Sequence, residues 1–173
     1  MSGYAHWVRA FTSVGWFIPP YIQMGVLADI AGEITGRGAQ YDQNDLEQML
    51  SRLYEPHGLA AMVMHRYQIV PVIQDYRETI AEAIEAHFFG LDHIAVGGLL
   101  PVIEGAGRQL AASRSVAQNG TQAIFSALLS DCKHEAYSRR MGEPTEIEAM
   151  MDSFGVFVKE TLKNTSAVGA SIG

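Results

Sequence analysis

Apolar residues recur along this chain at three- and four-residue intervals, the spacing that keeps them on one face of an α-helix. No run alternates apolar and polar positions between turn signals as a half-buried strand would. The pattern predicts an all-α, single-domain bundle of about six to eight helices. A first helix over residues 4–14 stops at Gly15 and the Pro19-Pro20 pair, and Pro20 is placed to open a second at its first turn. In that helix Ile22, Val26, Ile30 and Ile34 recur every four residues until Gly36-Arg37-Gly38. Asn44 is positioned to cap a third, with Leu46, Met49, Leu50 and Leu53 on its apolar face.

Pro56 and Gly58 punctuate the chain, residues 59–67 continue helically, and Pro71 marks a break before an amphipathic helix over residues 72–89. Its inner stripe is Ile73, Tyr76, Ile80, Ala83, Ile84 and His87. Residues 94–110 are apolar nearly all round, which predicts a central, buried helix whose glycines let neighbours approach closely. Thr121 is set to cap a helix carrying Ile124, Phe125, Leu128, Leu129 and Cys132. Pro144 and the Thr145 to Glu148 capping box announce the last helix, with Ile147, Met150, Met151, Phe154, Phe157, Val158 and Leu162 on its apolar side. Residues 164–173 carry no charge and read as a flexible or docking tail; the parent chain either ends here or continues.

Composition narrows the function classes. The 173 residues are 48% hydrophobic and 18% charged, against roughly 25% charged in an average soluble domain, enough for a sizeable core. Twelve basic against nineteen acidic side chains give a net charge of −7, which opposes RNA or DNA binding by phosphate neutralisation. Residues 1–86 hold 5 basic and 10 acidic side chains and residues 87–173 hold 7 and 9, so the second half is closer to neutral. Lys133, Arg139 and Arg140 form the basic cluster and read as a solvated helix end. The one cysteine, Cys132, reads as a small core residue, excludes an internal disulfide and fits a cytoplasmic compartment. The N-terminus lacks a signal-peptide pattern, and the longest apolar run falls well short of the roughly 20 residues that span a bilayer.

Catalytic signatures are sparse. Helical di-iron sites need Glu-x-x-His pairs, and Glu82, Glu85, His87, Asp92 and His93 lack that spacing, so they read as a solvated acidic face without metal. No metalloprotease, phosphate-loop, dinucleotide or nucleophile-elbow motif occurs, so no cofactor is implied. His65, Arg66, Glu104 and Arg108 lie in or beside apolar segments, where a buried charge needs a partner. Glu104 and Arg108, four apart, can supply one another as a structural or ligand-binding pair. Tyr67, Tyr76 and His87 mark a candidate small-molecule cavity between helices.

The segment Leu99-Leu100-Pro101-Val102-Ile103-Glu104-Gly105-Ala106-Gly107-Arg108, with Phe157-Val158-Lys159-Glu160-Thr161-Leu162-Lys163-Asn164-Thr165, resembles bacterial HEPN-type helical proteins of the abortive-infection kind. The resemblance covers about the last 100 residues. It implies a helical bundle that dimerises and, in many members, a metal-independent ribonuclease using an Arg-x(4–6)-His motif. An Asn-Arg-His segment expected beyond residue 173 is not in this sequence, which suits a relative lacking its active segment. The formal motif match here is Arg52 to His57, with Leu53 after the Arg and Pro56 and Gly58 flanking the His. Were it active, His57 would serve as general acid or base on a ribose 2′-hydroxyl and Arg52 would stabilise the phosphorane. The expectation that emerges is a non-catalytic interaction module, homodimeric, that buries the Met- and Phe-rich face of its last helix against a partner. The alternatives are the ribonuclease and a small-molecule sensor.

Overall fold

A computed structural model describes residues 3–116, 119–139 and 146–161. Among them the chain is all-α, with eight α-helices and no strand. They run α1 Gly3–Ser13, α2 Met24–Arg37, α3 Gln43–Leu53, α4 Pro56–Ala61, α5 Arg77–Phe88, α6 Asp92–Ser113, α7 Thr121–Arg139 and α8 Glu146–Thr161. Short 3-10 turns at Gly38–Gln40 and Ile73–Tyr76 and a π turn at Met62–Arg66 link them.

The helices gather into two compact units. One comprises Met1–Leu50 with Phe125–Gly173, and the other Ser51–Ile124. In the first, α1 packs against α2 and α8. The side chains of Phe11, Ile18, Leu27, Ile34, Met49 and Val158 are fully buried there. In the second, α5 lies along α6, and the glycines of α6 make this close. A methyl group added at Gly105 would fall 2.5 Å from Tyr76 Oη, and one at Gly98 would meet the Ala83 methyl at 3.4 Å. The α5–α6 connection is a helix-ending motif with Gly90 at φ +74°: the Gly90 N–H donates to His87 O and the Leu91 N–H to Ala86 O.

Several local expectations are corrected. Pro20 does not open α2, because Tyr21 at φ +66° turns the chain out of a helical path and the helix begins at Met24. Its buried face is Leu27, Ile30, Ala31 and Ile34, and Val26 points to solvent. Asp42, not Asn44, caps α3: its carboxylate accepts the Asp45 N–H and the Asp45 carboxylate accepts the Asp42 N–H, each at 3.0 Å. Thr121 is the first residue of α7 rather than its cap, with its hydroxyl 3.4 Å from Glu104 Oε1. The amphipathic helix expected over residues 72–89 is regular only from Arg77, since Val72 sits at φ +72° and a 3-10 turn follows. His87 lies on the exposed side of α5, and His65 and Arg66 are also exposed. The largest correction concerns α6, which buries Ala95, Val102, Gly107 and Ala111 but exposes Ile94, Val96, Leu100 and Ile103, so it is not a central helix enclosed on all sides.

Candidate functional site: an apolar pocket on the last helix

Within the first unit, the segment after α1 supplies one wall of a pocket. Gly15 at φ +70° ends the helix, and Trp16, Phe17 and Ile18 follow as three large apolar side chains in non-helical backbone. Such a segment needs both apolar cover and a partner for its backbone groups. Both come from α8. The hydroxyl of Ser153, fully buried, accepts the Ile18 N–H at 2.9 Å across 135 positions of sequence.

That bond places Phe17 in an aromatic cluster. Its ring stacks on Trp16 with centroids 5.0 Å apart and meets Phe154 at 5.1 Å and Phe157 at 5.0 Å. Phe125 of α7 joins from the other side, edge-on to Phe154 at 6.3 Å. Tilted and edge-on contacts of this kind add roughly 0.5–1.5 kcal/mol per pair to simple area burial. The rings therefore form a rigid floor.

Beside it opens a cavity of about 370 Å³ lined by Phe17, Ile18, Pro20, Leu129, Met150, Met151 and Phe154. Every lining residue is apolar, so the pocket presents no acid, base or nucleophile and is suited to receive an apolar group. Met150 and Met151 give part of the wall conformational latitude. The Lys133–Asp152 ion pair at 2.6 Å bridges α7 and α8, with the Lys133 ammonium reaching to within 3.9 Å of where a Gly155 Cβ would stand. Of the apolar residues expected on α8, Ile147 is exposed, Val158 is buried, and Leu162 lies outside the described residues with Pro144 and Thr145.

The residues singled out from sequence lie elsewhere. Arg52 is on α3 and His57 on α4; the His57 ring, 81% exposed, stands 3.2 Å from the Glu55 carboxylate. Glu104 and Arg108 do pair across one turn of α6, at 3.4 Å, but on an exposed face. A pair in that setting contributes at most about 1 kcal/mol. Tyr67 Oη reaches Met62 Sδ at 3.8 Å, Tyr76 rests on Gly105, and His87 Nδ1 lies 2.6 Å from Asp92 Oδ1. Burial and the neighbouring Tyr67 raise the Tyr54 phenol above its ordinary range. No group of three or more His, Cys, Asp or Glu side chains among the described residues is arranged to hold a metal ion. No described helix is long and apolar enough to cross a membrane.

Phe17, Ile18 and Pro20 were not legible as site residues. Their signal was an apolar run from Trp16 to Pro20 stranded after Gly15, but nothing in the sequence tied it to Ser153. Comparison with protein-family models, with curated proteins and with solved structures finds no match.

Proposed function

We propose that this chain is a non-catalytic helical interaction module, working as a homo-oligomer, whose α8 pocket receives an apolar anchor group from a protein partner. The observation that carries the reading is the all-apolar lining on the Met- and Phe-rich side of α8. A partner side chain such as Leu or Phe, inserted there, would gain about 1.5–3 kcal/mol from burial. Two methionines let the wall adapt to it. The volume also suits a small apolar ligand, since about 370 Å³ falls within the roughly 300–1,000 Å³ of small-molecule sites.

Trp16, stacked on the pocket residue Phe17, is a built-in reporter. With Trp7→Phe leaving it as the sole indole, titration with an amphipathic helical peptide carrying Leu and Phe at i and i+4 is expected to shift its emission with micromolar affinity. Met151→Lys, which places a charge in the lining, is expected to weaken that affinity at least tenfold while leaving the circular dichroism unchanged. A peptide that leaves the Trp16 emission unmoved would defeat the reading. A short-chain hydrocarbon that shifts the emission and raises the melting temperature where the peptide does neither would favour the small-molecule alternative.

A further inference from the structure

Two residues with left-handed backbone bracket the segment between α1 and α2, Gly15 at φ +70° and Tyr21 at φ +66°. Residues 16–20 between them are non-helical, and Phe17, Ile18 and Pro20 of this stretch form one wall of the α8 pocket. Pro19 and Pro20 stiffen it, since each fixes φ, and neither carries an N–H to bond elsewhere. Among the described residues, one hydrogen bond ties residues 17–20 to another element, the Ile18 N–H donated to Ser153 Oγ at 2.9 Å. A stiff segment fastened at one point, between two residues placed to absorb a backbone rotation, has the build of a hinged strap.

Apolar contact holds the strap closed, and a polar defect opposes it. Ile18 and Pro19 are fully buried, and the Phe17 ring packs against Phe154 and Phe157. Yet the Trp16 indole N–H is shut off from solvent with no acceptor, and the Thr12 hydroxyl at the root of the strap is buried without a partner as well. A buried donor that lacks an acceptor disfavours the state that buries it, and a strap swung outward carries the Trp16 indole into water. The closed form is the resting state, with an open form in reach as a minor population. We infer that residues 16–20 are a hinged wall that swings away from α8 to admit the occupant of the pocket and closes over it through the Ile18–Ser153 bond, an inference that rests on the pocket reading proposed above. The entering apolar group takes over on α8 the contacts that Phe17 and Ile18 give up, and Met150 and Met151 adjust to either.

Hydrogen exchange followed by NMR on the Trp7→Phe chain, with nothing added, reads the hinge without any ligand. The Ile18 amide and the Trp16 indole N–H are expected to share one protection factor, at least tenfold below those of Ala31 and Ile34 in α2. Ser153→Ala, which removes the fastening, should lower both again by about tenfold, make Trp16 easier to quench with acrylamide and leave the circular dichroism unchanged. Whichever probe shifts the Trp16 emission, the amphipathic peptide or the short-chain hydrocarbon, should associate with the Ser153→Ala chain at least threefold faster in stopped flow. Ile18 protection equal to that of Ala31 overturns the hinge. Faster exchange in Ser153→Ala with an unchanged association rate overturns the gating. If the strap exchanges as expected while Trp16 is silent to both probes, the pocket reading fails and takes the gating with it, and the hinge alone stands.

Discussion

Val72 is held at φ +72°, ψ −49°, a conformation that crowds a β-branched side chain. The surrounding structure holds it there: the Gln74 N–H donates to Val70 O and the Asp75 N–H to Val72 O. Residues so placed cost about 1–3 kcal/mol, which the turn into the 3-10 segment absorbs. Val72→Gly removes the crowding and gives up a half-buried side chain and some unfolded-state restriction. The net expectation is a gain of about 1 kcal/mol, read as a higher midpoint in urea with an unchanged slope. Asp45 shows the opposite economy, a side chain whose charge is used fully. The Asp42 N–H and then the Arg37 guanidinium, bonded at 2.6 and 2.8 Å, hold its carboxyl below the ordinary value of 3.8. A carboxyl depressed in the folded state stabilises the fold above its unfolded value, and that contribution fades as the pH falls through the folded value. Asp45→Asn should therefore lower the melting temperature at neutral pH, and the difference from wild type should shrink below about pH 4.

At the scale of the element, the sequence was most informative where a helix meets a single environment. The helix stops at Gly15, Gly38 and Gly90 were legible, because turn chemistry is local, whereas Pro56, read as a break, opens α4. Helix faces were less so. In α2 the four-residue recurrence of Val26, Ile30 and Ile34, which begins at Ile22 before the helix, drifts around it, and the packing selects the narrower Leu27, Ile30, Ala31, Ile34 stripe. In α6 an almost continuous apolar run looks the same whether a helix is enclosed or merely apolar on both sides. Periodicity carries no record of which side a neighbour occupies, whereas Gly98 and Gly105, spaced by seven, do mark the side that α5 approaches. The pocket was half legible for a similar reason. Met150, Met151 and Phe154 announce an apolar face, but the wall opposite them comes from residues more than a hundred positions earlier, tied by one hydrogen bond to Ser153.

The two units differ in how much they can hold themselves together. All of the largest fully buried side chains, from Phe11 to Val158, belong to the first. The second relies on the α5–α6 contact and a few aliphatic side chains. Local stability follows buried apolar contact, so the amides of α5 and α6 are expected to exchange with deuterium faster than those of α1 and α2. Equal protection in both units would show that the second is held by more than its α5–α6 contact.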